Sequence, residues 1–583
     1  MRQEAIAWPP SYASPPPIVL PAARLPTGLR ERLSAIGKSF QQGVKDNRER
    51  LKRILGGARA RAKGVGERIA SIVPDELPPP PNPLVASLPS SVDVLVVGSG
   101  LSGAALMRGL TQAGVDCCLV EASPRLREGG TAIGLWTQAW RALSYLRVDN
   151  AMRAGYVLNK EVCLASKEGG VLVDFNVDEC ANGPHEFRQV LRGQLLRELL
   201  SGVPRDRIFY SAEVEEVLEG TGSRPVLVTL KDGRQIRARV VVGADGIRSS
   251  VRASIAPREP PPRYAGYKAF RGVARLRPTF PLSMGGMPWE PSLGRGKSVL
   301  LKEGVVGQVF GEGVRFGSAQ ISEDRVYWFV CFNALAGDVP AISVNATGRK
   351  AYAARLVEGW GHQVYQLVQA TPAEDIVLSD IRHRFPSFRP WGKGRVTLIG
   401  DSAHPMTPNL GQGGAAAIED AVELCSVLTP ILGRRPPATQ TSSPSSPSAG
   451  RIASIGMNIG PIDFPPPRQP QPFEPRIDDE ADIDRALRRF ERNRLGRIAF
   501  LSMKAWVYGV ALQIALEPIC ALRNFLVPIL LAPNTLLRAN FLDHTDWKPP
   551  TPPPLSGGAG LLEGIGETIR RFQREEREGG ESG

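Results

Sequence analysis

The feature that most constrains this chain is a strand, a glycine-rich turn and a helix in direct succession. Val92 to Val97 reads as a buried strand and runs into Gly98-Ser99-Gly100-Leu101-Ser102-Gly103. A helical pattern follows through Leu106 and Leu110 and ends near Gly114. A second apolar run, Val115 to Val120, then stops at Glu121. The spacing predicts a βαβ unit. In such a unit Gly98 permits the tight turn, Gly100 lets the backbone approach a pyrophosphate, and Gly103 lets helix and strand pack closely. The loop through Ser99, Leu101 and Ser102 offers free N–H groups and the positive end of a helix dipole to phosphates. Glu121 stands where an acid accepts hydrogen bonds from a ribose diol, which disfavours a 2′-phosphate. The site therefore suits FAD or NAD rather than NADP.

Two further signals lie far along the chain. Val226, Val228 and Leu230 alternate, Asp232-Gly233 turns, and a strand returns to Val240-Val241-Val242-Gly243-Ala244-Asp245-Gly246. That pattern is a hairpin delivering Asp245 and Gly246 to a strand end, where open α/β sheets bind ligands. The third signal starts at the strand Arg395 to Ile399. Gly400-Asp401-Ser402-Ala403-His404-Pro405 follows, then Asn409-Leu410-Gly411-Gln412-Gly413-Gly414, then a helix expected from Ala415 to about Leu428, stopped before Pro430. A glycine loop opening a helix presents N–H groups and positive potential. It suits the anionic far end of a long redox cofactor, with Asp401 placed for ribityl hydroxyls.

With these residues in view, the chain resembles the group A flavoprotein monooxygenases, a family that includes salicylate hydroxylase-like enzymes, zeaxanthin epoxidase and plant monooxygenases. The run from Gly400 to Gly414 is very similar to the plant forms. Tyr264-Ala265-Gly266, Phe270-Arg271-Gly272, Val326-Tyr327-Trp328 and Asp380-Ile381 with Arg384 and Pro386 match the same pattern. The resemblance covers about 91–430 and, more weakly, 483–545. It implies that Gly98, Gly100, Gly103 and Glu121 hold the adenosine diphosphate of FAD. Arg192 would contact FAD from a helix, and Asp245-Gly246 would touch FAD and the nicotinamide cofactor. Asp401, next to Gly400, would bind the ribityl chain, and Gly411, Gln412, Gly413 and Gly414 the isoalloxazine. It implies NAD(P)H as hydride donor and O2 as oxidant, with oxygen passed to a small aromatic or isoprenoid substrate through a flavin hydroperoxide as hydroxyl or epoxide.

No catalytic acid or base is assigned from the sequence. His404 reads as structural, and Arg271 and His383 are weaker candidates for substrate or flavin contact. The implied fold class is α/β: a Rossmann-like FAD-binding domain of the group A type, with an interleaved β-sheet substrate domain and a C-terminal helical segment. Two rivals stay open: another flavin reaction, reduction or halogenation, and a non-catalytic flavoprotein with a binding role. No Trp-x-Trp-x-Ile-Pro halogenase signature is present. Gly294-Arg295-Gly296-Lys297-Ser298 is not a P-loop, since position 291 is proline.

The 583 residues divide by composition. Residues 1–90 form an N-terminal extension, read as a targeting segment or a membrane-surface helix from the stripe Leu29, Leu33, Ile36, Phe40, Val44, Leu51 and Ile54. The FAD-binding part spans 91–432, with the substrate region at about 155–190 and 255–380. A Pro/Ser-rich insertion at 433–480 and a tail at 546–583 read as disordered, and 481–545 as a helical part of the enzyme. The formal charge of +14 favours anionic partners, but no nucleic-acid motif occurs. Partners are then a small-molecule substrate and O2, with peripheral membrane contact left open. Seven cysteines without a C-x-x-C pair point to no metal site and to a reducing compartment, plastid or cytoplasm. No run reaches roughly 18 uninterrupted apolar residues; Ala505 to Leu516 comes nearest.

Overall fold

The structure is a computed structural model that describes residues 87–127, 131–220, 222, 224–276, 304–337, 345–385, 389–433, 477–533, 535, 542 and 545–551. The chain divides into two units, 1–86 and 87–583. The N-terminal stripe, the segment 294–298, nearly all of the Pro/Ser-rich insertion and most of the tail lie outside the described residues.

In chain order the described elements begin with β1 (Ser91–Val97), α1 (Leu101–Gln112), β2 (Cys117–Val120), β3 (Ala132–Trp136), α2 (Thr137–Tyr145) and α3 (Asp149–Arg153). They continue with β4 (Glu161–Ser166), β5 (Val171–Asn176), β6 (Phe187–Leu191), α4 (Arg192–Leu200), β7 (Ile208–Phe209), β8 (Val214–Leu218), β9 (Val226–Leu230), β10 (Gln235–Gly243) and α5 (Ser250–Ile255). The rest are β11 (Arg263–Arg275), β12 (Val305–Phe310), β13 (Val314–Ser322), β14 (Arg325–Asn333), α6 (Ala346–Leu356), α7 (Val364–Gln369), β15 (Val377–His383), β16 (Val396–Leu398), α8 (Gly413–Leu432), α9 (Ile477–Leu512) and α10 (Glu517–Leu530).

Two large sheets organise these elements. In the first, β7, β2, β1, β10 and β16 are parallel neighbours in that order. Val94, Leu95 and Val96 of β1 are fully buried, as expected of a parallel strand covered on both faces. β10 is long enough to change partners. Its first half pairs antiparallel with β9, and its last residues pair with β16. The Asp232-Gly233 hairpin forms as expected, with Gly233 at φ +85°. Helices α1 and α8 pack against each other beside this sheet.

The second sheet has the order β15-β11-β14-β13-β12-β4-β5. It is interleaved, because β4 and β5 precede the end of the first sheet in sequence and β11 to β15 follow β10. Phe270, Phe316, Trp328 and Val330 fill one side with residues from α6 and α7. The register sets Tyr267 opposite Asn333, and Cys331 opposite both Ala269 and Arg315. Strand alternation therefore puts Tyr267, Asn333, Cys331 and Arg315 on one face.

Two helices run further than expected. α8 continues past Pro430 to Leu432. One lost hydrogen bond near a helix end is outweighed by packing, since Leu428 and Leu432 are both buried. α9 begins at Ile477, inside the stretch to residue 480 read as disordered, and runs to Leu512. It is long enough to cross a bilayer and contains an 18-residue stretch apolar enough to do so. Its Arg494 is nevertheless buried against acids of α8, as in a helix of a protein core.

Candidate active site

The three glycine motifs meet at the carboxyl ends of β1, β10 and β16. Ala244 N–H donates to the Val97 carbonyl at 2.8 Å, and Ile399 N–H to the Gly243 carbonyl at 3.0 Å. Ser402 Oγ also donates to the Gly243 carbonyl. Arg252 of α5 donates to the carbonyls of Ser402 and Ala403. A Cβ at Gly400 would lie 2.8 Å from Ser102 Oγ, and one at Gly414 would lie 3.5 Å from Leu101 Cδ1. Segments separated by three hundred residues thus form one surface.

The glycines of the first motif serve different ends. Gly98 has φ +103°, and a Cβ there would fall 2.6 Å from the Ala244 carbonyl oxygen. A Cβ at Gly103 would overlap the Gly98 oxygen at 1.9 Å, so the close helix-to-strand packing is real. Gly100 differs: a Cβ there would meet only the Ala244 oxygen, at 3.8 Å. No protein atom demands glycine at Gly100, and the open side is where a phosphate would lie. α1 starts without a side-chain cap and without an acid in its first turn, and so does α8. Both helix starts leave N–H groups and positive potential for an anion.

Glu121 accepts from Ser99 N–H and Ser99 Oγ, each at 2.8 Å, and from Ser123 N–H at 2.8 Å. Burial works against its charge, but these hydrogen bonds win and hold its carboxyl below the usual range. The acid expected to face a ribose is thus also the clamp of its own loop. Arg192 opens α4 and donates to the Arg127 carbonyl. Burial and Arg127 lower its pKa against opposing pulls from Glu121 and Asp401, which places all three charges in one neighbourhood.

Asp245 caps α5 through one oxygen, accepting from Ser250 N–H at 2.7 Å. Its other oxygen is buried without a partner, and burial raises its pKa. Asp401 sits in a short 3-10 turn, Gly400–Ser402, with an exposed side chain. The surrounding protein raises its carboxyl, opposed by His404 and Arg192. Gly411 is at φ +63°, and Gly413 has only Met406 near its missing Cβ, at 3.7 Å. Gly414 is required by Ile133 of β3, 2.2 Å from its Cβ position. Gln412 is buried and accepts from Gln138 Nε2, while its own Nε2 lacks a partner. Open space at Gly100 and two uncapped helix starts fit the diphosphate of a long dinucleotide, and the partnerless Asp245 oxygen is an acceptor suited to a hydroxyl.

Sequence reasoning missed the ionic group under the third motif. Asp420 of α8 accepts from Gly400 N–H at 2.9 Å, from Arg494 Nε at 2.7 Å, and lies 2.5 Å from His404 Nε2. Burial opposes its charge, yet His404 and Arg494 hold it far below the usual carboxylate range. Arg494 also meets Glu419, which Arg497 grips with two nitrogens. His404 pairs with Asp420, which in turn holds Gly400 at the start of the turn that carries Asp401.

A cavity of about 520 Å³ adjoins the flavin-type loop, lined among others by Tyr267, Asn333, Thr407, Trp506, Gly509 and Gln513. Neither Arg271 nor His383 lines it. Burial pushes the Tyr267 phenol up to about 12, so it stays a neutral donor, and it donates to Asn409 Oδ1 at 3.2 Å. Arg315, 1% exposed, donates to the same Asn409 oxygen at 2.8 Å. Its Nε and Nη1 are buried without partners. No short-range signal marks Arg315, because its position depends on strand register. A Cβ at Gly509 would fall 2.3 Å from Asn409 Nδ2, so glycine is what lets α9 close against the loop. Gly509→Leu should keep FAD but cut substrate-stimulated NAD(P)H oxidation about tenfold or more, measured in steady state, since the added side chain enters the cavity and displaces Asn409.

Comparison with known proteins agrees with this geometry. The FAD binding domain family matches residues 91–262 and 366–439. The aurachin C monooxygenase/isomerase of Stigmatella aurantiaca is 32% identical over 349 residues, 58% of this chain and 81% of that protein. The chain belongs to the group A FAD-dependent monooxygenases. It is an oxidoreductase with FAD as cofactor and NAD(P)H as co-substrate, acting on a small molecule. The chloroplastic zeaxanthin epoxidase of Nicotiana plumbaginifolia is 31% identical over 64% of the monooxygenase and 54% of its own length. Klebsiella pneumoniae HpxO, solved with FAD and uric acid, superposes with a TM-score of 0.58 at 22% identity. That match covers 78% of the monooxygenase and 96% of HpxO, and it shows the shared fold.

Proposed function

We propose that this enzyme hydroxylates or epoxidises an apolar aromatic or isoprenoid substrate held in the 520 Å³ cavity beside the Gly411–Gly414 loop. The observation that carries the reading is the junction of three motifs at the strand ends, with a mainly apolar chamber next to the third. Gly98 to Gly103 would hold the diphosphate, and Glu121 with Arg192 the adenosine side. Asp245, Gly246, Gly400 and Asp401 would hold the middle of FAD. Gly411, Gln412, Gly413 and Gly414 would hold its ring. FAD, when bound, supplies the hydride acceptor and the oxygen-activating ring. The chain positions the substrate, excludes water and stabilises negative charge. Relatives named for aurachin C, a heptyl quinolone and zeaxanthin support a substrate with a large apolar part. Seven free, buried cysteines support a reducing compartment.

Purified enzyme should be yellow. Screening phenols, quinolones, terpenoids and carotenoids should reveal one class that accelerates NAD(P)H consumption and gains one oxygen. Bound FAD with no stimulation by any class would favour a binding role instead. We further assign Arg315 to stabilising negative charge at the reacting end, on the strength of its two partnerless buried nitrogens, Nε and Nη1. Arg315→Gln should lower kcat/KM about 100-fold while FAD stays bound. Equal kcat/KM would remove the assignment.

A further inference from the structure

Seventeen large apolar side chains are exposed among the described residues, and twelve of them fall between Phe500 and Leu530. Two of the others belong to the same area: Leu335 lines the cavity, and Phe385 packs edge-on against Trp506 at 5.6 Å. α10 is built inside out. Arg523 turns inward, its guanidinium 5.1 Å from the Phe310 ring and its Nη atoms buried. Ile519, Leu522, Phe525 and Ile529 point outward and are 42%, 54%, 67% and 53% exposed. A helix on a water-facing surface shows the reverse arrangement, so this face requires an apolar covering.

α9 shows what covers it. At helical spacing, one exposed stripe runs Arg489, Arg492, Gly496, Phe500, Met503, Val507, Val510. It is cationic at one end and apolar at the other. Arg492 and Phe500 are eight residues apart, or about 12 Å along the axis. Between Ile498 and Ala532 the chain has one acid, Glu517, and two bases, Lys504 and Arg523. Cations set back from an apolar tip match the charge and depth profile of an anionic lipid surface. The cavity reaches this patch, since the exposed Leu335, Trp506 and Val510 are among its lining residues. A protein seated there would cover the mouth, whereas a lipid surface leaves it in contact with apolar molecules.

We propose that the outer faces of α9 and α10 dock on an anionic lipid bilayer, so that an apolar substrate passes from the lipid into the cavity. Substrate entry rests on the monooxygenase reading, while docking does not. The test is flotation of the full FAD-loaded chain with vesicles of phosphatidylcholine alone or with roughly one third phosphatidylglycerol. The chain should float with the anionic vesicles at least tenfold more than with the neutral ones. Leu522→Ser with Phe525→Ser should lower binding at least tenfold and retain flavin absorbance. Phe500→Ser with Met503→Ser tests the same surface from the other helix. Arg489→Gln with Arg492→Gln should abolish the preference for phosphatidylglycerol. The proposal is overturned if the parent floats with neither vesicle or if the serine variants float as well as the parent. It is equally overturned if sedimentation shows a dimer that the serine variants convert to monomer. Because flotation needs no turnover, its failure leaves the catalytic reading standing, and lack of turnover leaves docking standing.

Discussion

Gly100→Val should fold like the parent and fail to hold FAD. The position has extended backbone (φ −67°, ψ −175°), which valine accepts, and a Cβ there meets protein only at 3.8 Å. Apo-protein stability should therefore stay within about 1 kcal/mol of the parent. The same side chain would occupy the space through which α1 presents its N–H groups to a phosphate. The Kd for FAD should rise at least 100-fold, or about 2.7 kcal/mol, measured by quenching of flavin fluorescence. Gly103→Val is the informative contrast. Its Cβ would lie 1.9 Å from the Gly98 oxygen, so helix and strand must separate and stability should fall by about 3 kcal/mol or more. If Gly100→Val binds FAD as tightly as the parent, the phosphate assignment of this loop is wrong.

Arg494→Met should be strongly destabilising. It leaves Asp420 and Glu419, both 0% exposed, without their shared guanidinium. Breaking a buried ionic group from one side costs about 3–5 kcal/mol. The urea midpoint should drop accordingly with an unchanged slope. Arg497→Met should cost less, about 1–2 kcal/mol, because Glu419 keeps Arg494 and Arg497 is partly solvated. Since Asp420 accepts from Gly400 N–H, Arg494→Met should also weaken FAD retention, a readout that damage elsewhere in the core would not share. The pH dependence has a definite sign. Asp420 is depressed in the folded protein, so its contribution is complete above the unfolded value of about 3.9. It is lost as pH falls through the lower folded value, and the parent should release FAD and unfold in that acid range. Arg494→Met, lacking one of the cations that depress Asp420, should show a weaker acid dependence. An unchanged acid profile would remove Asp420 from the account.

The legible part of this protein is local. A glycine at positive φ, a Cβ-free approach of helix to strand and an apolar period of two or 3.6 each leave a mark within a few residues. That is why the tight turn at Gly98 and the close packing at Gly103 were legible in the sequence, and why the hairpin at Asp232-Gly233 formed as expected. The spacing put Glu121 at the end of β2 but did not show its grip on Ser99, because that bond depends on how β1 and β2 sit side by side. Pro430 misled for the converse reason: a local rule against continuing the helix was overridden by buried leucines that only the packed fold supplies.

By itself, the order of residues determined an α/β FAD-binding fold, three glycine-rich loops at strand ends and a basic chain rich in free thiols. Tertiary structure alone decided that Arg494 meets Asp420 across 74 residues. It decided that register turns Arg315 toward Asn409, and that α10 shows its apolar side outward. Charge pairs, strand register and helix orientation are set by elements distant in the chain, and the Coulomb and packing energies that fix them exist only after those elements have come together.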